Sequence, residues 1–506
     1  MMLCVALIPL RVHASTATLT LSDNTGTPAT AANGTFTAYK VIDDRSITTD
    51  FADFFNNNAT YGSYKFNGNE ILNSAATIIT GVQTDVTNST EAAKLAVQLE
   101  RYAAAKNLTG ITFANNQAEL SKGMWVVVET TSNGQTWTDN DGYQHTRIAS
   151  RPMLVNMGDT AKTITLKDSS TSLRKTIDDN NVSVKTNDVA IGGTVNYNVE
   201  SAIPMYEYNA QTRLAANALL LFQIDDIFSA GLDYQFTTGQ PASGVTVGGV
   251  AVAASKYTVA FDENARKLSI KFNNDWIIEN QGQNVKVSYS AKLNSDAVAN
   301  DTTGNTNTAT LTFTQNPNTP NDTATLSNST KTFTYKFKIH KIDRYNGTAD
   351  MTGVEFTLYT DENCTDVLKI NGVDAKLTVG TGNMSNELAG LDEGTYYMKE
   401  TVLKSASYSD IGVVKVIVTA EKTAGNQPTG KATIAMQSAP TGSDIEEGST
   451  VSTTNTYGLV LKVANTKGLN IPEAGAISAI LIMLAGALLV VGGLYIMGKG
   501  NKGEQK

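Results

Sequence analysis

A lysine, a glutamate and an asparagine, far apart in the chain, each fall on the apolar side of a strand-like segment. Side chains alternate between the faces of a strand, so residues two apart lie together. Phe333, Tyr335, Phe337 and Ile339 mark one face, and Lys341 falls in phase with them. Tyr396 and Met398 place Glu400 likewise, and Leu459, Leu461 and Val463 place Asn465. An unpaired buried charge is costly, so the three groups are expected to meet. A buried Lys–Glu pair with an amide beside it satisfies this pattern, and so does a reaction. Burial lowers an amine's pKa and raises a carboxyl's, so proton transfer leaves a neutral amine next to a neutral acid. The Lys341 amine can then attack the side-chain carbonyl carbon of Asn465. Glu400 would polarise that carbonyl and move protons as ammonia leaves. The product is an intramolecular isopeptide bond, favoured by high effective concentration in a dry core.

The same phasing occurs earlier. Leu173, Lys175 and Ile177 share a face, as do Phe222, Ile224 and Asp226, and Asn307, Ala309, Leu311 and Phe313. Asp225 is the neighbouring acid, with its side chain directed away from Ile224, and Asn305 is a second amide in phase. Near the N-terminus Lys40 is in phase with Phe36 and Ile42, Glu129 with Trp125 and Val127, and Asn156 with Leu154. That set reads as a surface lysine and an unrelated glutamate, or as a third bond. Lys167 has the opposite character. Ile164 and Leu166 share one face, which leaves Lys167 on the solvent side with Thr163 and Thr165; Lys162 is its nearest rival.

Short alternating strands separated by Asn, Gly, Asp and Thr turns must position these groups, which predicts β-sandwiches. The expected class is mainly all-β, with tandem immunoglobulin-like sandwiches, some helix in the N-terminal domain and a C-terminal transmembrane helix. The expected segments are 1–14, 15–167, 168–330, 331–468 and 469–506. A helix is predicted over Thr90 to Ala105, with apolar residues at 93, 96, 97 and 103. The Asn- and Pro-rich stretch Gln315 to Asn321 reads as a turn or linker closing the middle domain. Each bond would then tie the first strand of its domain to the last.

Composition excludes several functions. Charged residues are only 17% of the chain and the formal charge is −9, which argues against nucleic acid. With Cys4 in the leader segment, Cys364 is the sole remaining cysteine, so no internal disulfide can brace the fold. His145 and His340 have no metal-ligand spacing. No Gly-x-Ser-x-Gly elbow, phosphate-binding glycine loop or zinc motif occurs. Asp139-Asn140-Asp141-Gly142 reads as a polar turn, or as half a calcium loop. No cofactor is expected.

Both ends point to export. Met1 to Leu10 is almost wholly apolar, and Val12-His13-Ala14 ends in the small residue that signal peptidase favours. Ile471-Pro472-Glu473-Ala474-Gly475 precedes an uncharged run, Ala476 to Met497, long enough to span a bilayer, and Lys499, Lys502 and Lys506 follow. This order resembles the Leu-Pro-x-Thr-Gly sorting signal of Gram-positive surface proteins, with Ile471 for Leu and Ala474 for Thr. The resemblance implies cleavage by a sortase before Gly475 and transfer of the Ala474 carboxyl to an amine.

The interior carries further resemblances. Lys341-Ile342-Asp343 and Gly353-Val354-Glu355-Phe356-Thr357-Leu358-Tyr359 resemble the opening of a collagen-adhesin B-type domain. Gly394-Thr395-Tyr396-Tyr397-Met398-Lys399-Glu400-Thr401 resembles the E-box of Gram-positive pilins, without the Ala-Pro-x-Gly-Tyr that usually follows. Val463-Ala464-Asn465-Thr466 resembles their closing strand. The middle segment is similar to an A-type collagen-adhesin domain, which implies Lys175 as nucleophile, Asp226 as proton shuttle and Asn307 as acceptor. Pilus backbone subunits carry an exposed linking lysine where Lys167 stands, in Thr165-Leu166-Lys167 rather than Tyr-Pro-Lys. The chain thus resembles a sortase-assembled pilus backbone subunit. That implies subunits joined head to tail through Lys167 and Ala474, in a cell-wall-anchored surface fibre used in adhesion. The implied partners are a sortase, other copies of the chain, peptidoglycan or a basal pilin, and a surface receptor. A monomeric wall-anchored adhesin needs the same domains and signal but not Lys167. Enzymatic activity is expected only as single-turnover self-cross-linking.

Overall fold

The computed structural model describes residues 15–22, 34–43, 46–56, 65–66, 69–70, 90–131, 136–166, 169–206, 220–235, 244–317, 322–446, 450–451, 456–457 and 459–468. Residues 1–14, Lys167, the sorting motif Ile471 to Gly475 and the apolar run after it lie outside the described residues. Among those described, no helix is long and apolar enough to cross a membrane. The fold is mainly β, and the chain divides into two compact units with a boundary after Phe333.

The first unit opens with three layers. A sheet ordered Lys162–Thr165, Thr16–Ser22, Gln117–Ser121 covers one side of a second sheet ordered Met153–Met157, Gly123–Thr131, Thr35–Asp43, Ser46–Ile47. Helix Thr90–Ala105 covers the other. The central strand explains the arrangement. Trp125 and Val127 pack with Leu19, Leu21 and Leu120, whereas Met124, Val126 and Val128 pack with the helix. Its unbroken apolar run is what burial on both faces requires. The helix occupies its predicted span, but its buried stripe is Leu95, Ala96, Leu99, Tyr102 and Ala103, with Val97 only partly buried. Spacings of three and four led by the two leucines set that face.

The unit continues into a sandwich of two larger sheets. One runs Val250–Ala251, Gly244–Val247, Asn284–Leu293, Thr194–Ala202, Ser169–Asp179, Gln144–Ile148, Thr136–Thr138. The last two strands come from the segment before residue 167: Gln144–Ile148 pairs antiparallel with Ser169–Asp179, Gln144 opposite Leu173, and Thr136–Thr138 pairs antiparallel with Gln144–Ile148. The other sheet runs Thr186–Asp188, Thr323–Phe333, Asn305–Thr314, Phe222–Phe228, Lys267–Phe272, Tyr257–Asp262. Strand Thr323–Phe333 corrects the sequence expectation. It pairs with Asn305–Thr314 from Asn305↔Thr332 to Thr314↔Thr323, so the chain returns to the sandwich after Thr314 rather than leaving it. Asn307 is therefore on the penultimate strand of its sandwich, not the last.

The second unit is a separate sandwich. A sheet ordered Leu388–Leu391, Tyr335–Asp343, Leu459–Asn465, Asp444–Glu446 packs against one ordered Lys376–Thr378, Glu355–Tyr359, Gly394–Val402, Val413–Lys422, Pro428–Gln437. Tyr335–Asp343 and Leu459–Asn465 run parallel, with Lys341 opposite Val463 and Asp343 opposite Asn465.

Two candidate cross-linking sites

In the first unit Lys175 arises from Ser169–Asp179 in one sheet, and Asp226 and Asn307 arise from Phe222–Phe228 and Asn305–Thr314 in the facing sheet. All three are buried, Lys175 and Asn307 completely. Lys175 Nζ donates to Asp226 Oδ2 and to the hydroxyl of Tyr289, and that hydroxyl donates to the same Oδ2. The amine lies 4.7 Å from the ring centroid of Tyr197 and 4.9 Å from that of Tyr289. Burial lowers the Lys175 pKa despite the opposing charge of Asp226, and burial raises Asp226 despite Lys175. Asn307 lies near enough to Asp226 to oppose that rise, yet neither its Nδ2 nor its Oδ1 makes a hydrogen bond of normal geometry. An amine, an acid and an unengaged amide thus converge in a buried core.

The alternatives in this unit are otherwise employed. Asp225 turns outward, where it accepts from Gln223 Nε2 and, at 2.6 Å, from Ser269 Oγ. Asn305 is a structural pin: its Oδ1 accepts from Val298 N at 3.0 Å, and its Nδ2 donates to the carbonyls of Val298 and Thr332. Gly231 packs so closely that a Cβ there would lie 2.3 Å from Asn305 Oδ1.

In the second unit Lys341 and Asn465 lie on neighbouring parallel strands of one sheet, and Glu400 reaches in from the facing sheet. Lys341 Nζ is 3.7 Å from Glu400 Oε1 and makes no hydrogen bond among the described residues; the ring centroid of Phe356 is 5.4 Å away. Asn465 Nδ2 donates to both oxygens of Glu400, at 3.2 and 3.1 Å. Burial pulls the Lys341 amine down to about 8, with Glu400 opposing. Burial likewise raises Glu400, with Lys341 opposing. Asp343 closes the turn beyond Lys341 by accepting from Tyr345 N, Asn346 N and the Tyr408 hydroxyl.

The N-terminal set does not converge. Glu129 is buried, but both its oxygens are held by Arg147, at 2.7 and 2.5 Å, and it also accepts from Ser150 N. Lys40 stands opposite Trp125 rather than Glu129, and its amine bonds Asp43 and Ser121 Oγ. Lys162 is exposed and donates to the Asn156 carbonyl at 2.7 Å. Asp139 closes its own turn through Asp141 N and Tyr143 N and pairs with His145 Nε2 at 2.8 Å.

Sequence reasoning missed Tyr289. It alternates in phase with Val285, Val287, Ala291 and Leu293, a pattern that reads as an ordinary core aromatic. It also missed Lys185, whose amine donates to the Lys175 carbonyl at 2.8 Å and to Asn328 Oδ1.

Comparison with known proteins bears on the fold and on part of the first site. Residues 191–317, which include Asp226, Tyr289 and Asn307, match the family model of the Gram-positive pilin backbone subunit 2, Cna-B-like domain. No curated protein matches the chain. The T6 backbone pilin of serotype M6 Streptococcus pyogenes, described as a modular three-domain structure, aligns over 90% of this chain and 98% of its own. Its identity is 16% and its TM-score 0.52. The full-length major pilin SpaD of Corynebacterium diphtheriae aligns over the same shares at 17% identity and a TM-score of 0.49. Residues 191–317 therefore form a Gram-positive pilin backbone domain, and the chain has the fold of a Gram-positive backbone pilin.

Proposed function

We propose that the chain is a structural subunit of a covalently polymerised surface pilus, internally braced by Lys175–Asn307 and Lys341–Asn465 isopeptide bonds. The observation that carries this is the twofold meeting of a buried amine, a buried acid and an asparagine amide drawn from three separate strands. In each site the acid takes a proton from the lysine, and the neutral amine attacks the asparagine Cγ. The Nζ–Cγ bond forms, the Cγ–Nδ2 bond breaks, and the acid delivers a proton to the departing ammonia. Asp226 and Glu400 fill the acid's role. Support for Asn307 over Asn305 is that the Asn305 amide is already engaged on both of its polar atoms.

Intact mass of the purified ectodomain, residues 15–468, tests this reading. It should fall short of the sequence mass by two molecules of ammonia, and a full sequence mass would refute both bonds. Assembly rests on the sequence resemblance. A sortase is proposed to cut after Ala474 and join its carboxyl to Lys167 of the next copy, with peptidoglycan or a basal pilin as final acceptor. Wall extracts boiled in SDS should give a high-mass ladder on immunoblot. Lys167→Ala should collapse it to monomer while leaving the fold intact, and a surviving ladder would shift the linkage to Lys162. A single band from the native chain would instead mean a monomeric wall-anchored adhesin.

A further inference from the structure

We propose that Tyr289 is a third catalytic residue of the first-unit site, a phenolic proton relay between Lys175 and Asp226; this rests on the Lys175–Asn307 cross-link proposed above. The hydroxyl accepts from Lys175 Nζ and donates to Asp226 Oδ2, so it touches the atom that must lose a proton and the atom that must gain one. It is buried, and among the described residues Asp226 Oδ1 has no hydrogen-bond partner to divert the proton. Burial drives the phenol pKa further above its ordinary value, with Asp226 adding to the effect. A free tyrosinate is therefore inaccessible.

A relay requires no tyrosinate. As the Lys175 ammonium passes a proton to the phenol oxygen, the phenol passes its own to Asp226 Oδ2. One proton moves in total, and a neutral amine, a neutral phenol and a neutral acid result. The amine attacks Asn307 Cγ, and Asp226 protonates Nδ2 as the Cγ–Nδ2 bond breaks. The surplus proton on Nζ returns along the same path, so Asp226 ends protonated beside neutral ammonia, or ionised if ammonium departs. Atoms and charge balance without a co-reactant. The second unit has Phe356 beside its lysine, which provides no such path, and it serves as an internal control in the same molecule.

The test is Tyr289→Phe, which keeps the ring and removes the relay. Full-length ectodomain is isolated after a short expression pulse, and its mass is followed over time, with tryptic peptides reporting each cross-link separately. Lys175–Asn307 formation should slow about 10-fold, the direct contact of Lys175 Nζ with Asp226 Oδ2 leaving a slower path open, while Lys341–Asn465 forms at the wild-type rate. Equal rates in Tyr289→Phe and wild type would overturn the relay and leave the cross-link standing. Absence of the Lys175–Asn307 peptide from wild type would overturn both. If Tyr289→Phe does not fold, Asn307→Ala keeps the unreacted trio for NMR. A slowly exchanging Tyr289 hydroxyl proton that shifts when Asp226→Asn is added supports the relay, and a freely exchanging one overturns it.

Discussion

The two buried sites use the same three functional groups but assign the acid differently. In the first unit Asp226 holds the amine: its oxygen contacts Lys175 Nζ, and the Asn307 amide is left unengaged. In the second unit Glu400 holds the amide through two bonds from Asn465 Nδ2, and the Lys341 amine stands 3.7 Å from its Oε1. Strand placement explains the difference. Lys341 and Asn465 are already brought together by adjacent parallel strands, so the glutamate from the facing sheet need only orient the amide. Lys175 and Asn307 belong to different sheets, and the core must hold the lysine across the gap with Asp226 and Tyr289. The proposed chemistry requires only a buried core and one shared proton, which either geometry supplies.

Removing the acids separates the sites most sharply. Asp226→Ala and Glu400→Ala should each restore one ammonia to the intact mass, and the double variant should restore both. Each lost bond opens a loop of more than a hundred residues, so the affected sandwich should lose about 4–5 kcal/mol by the chain-entropy estimate for cross-links. Calorimetry with mass spectrometry on the same samples reads both effects. If either single variant kept both ammonia losses, the acid named for that site would be wrong.

The pH dependence of Lys341–Asn465 formation is the next largest effect. The reactive pair carries one proton, with the amine neutral and Glu400 protonated. At low pH the amine is an ammonium and cannot attack. Above about 8 the pair loses its last proton, and Glu400 has none to give the leaving amine. The rate should therefore be bell-shaped, with an acid limb above the ordinary carboxylate range because burial raises Glu400. Stability of the unreacted domain, trapped as Asn465→Ala, follows with the sign fixed by linkage. Lys341 binds its proton more weakly folded than unfolded, so stability rises between about 8 and its ordinary 10.5, on the order of 3 kcal/mol. Glu400 binds its proton more tightly folded, so stability falls as pH rises from 4.5. A flat urea-unfolding profile across both windows would contradict these protonation states.

A smaller difference lies behind the lysines. Lys185 buttresses Lys175 from its backbone side, bonding its carbonyl and the side chain of Asn328. Lys185→Met should lower the stability of the first unit by about 1–2 kcal/mol through those lost bonds and leave the second unit's transition in place. Both cross-links should still form, because Lys185 touches no reacting atom. A missing Lys175–Asn307 peptide would give Lys185 a larger part than a buttress.

Much of this was legible in sequence because strand alternation is strict. Lys175, Asp226, Asn307, Lys341, Glu400 and Asn465 each keep the phase of their apolar neighbours, and all six are buried. Parity fails where a residue's type is ordinary for its position, as for Tyr289, an aromatic among core residues. It fails again where a strand lacks apolar alternation. Thr323–Phe333 buries only Leu326, Thr330, Thr332 and Phe333, so its apolar residues do not mark a continuous core face. The Lys40, Glu129 and Asn156 set shows a third limit. Phase puts Glu129 inside, but the sequence does not reveal that Arg147 will neutralise it there.

The smallest expected effect tests parity itself. Asp225 and Asp226 are adjacent and chemically alike, and only the side of the strand distinguishes them. Asp225 faces out, where its carboxylate accepts from Gln223 and Ser269, and Asp226 faces the lysine. Asp225→Ala should leave both ammonia losses complete. Partly exposed polar bonds contribute little, so unfolding stability should change by no more than about 0.5 kcal/mol. The contrast with Asp226→Ala, one residue away, is then between almost nothing and the loss of a covalent bond. Should Asp225→Ala abolish the Lys175–Asn307 peptide, the proton path would run through the outer face of the sheet. The buried geometry that makes the reaction possible at Lys175 would then have been misjudged.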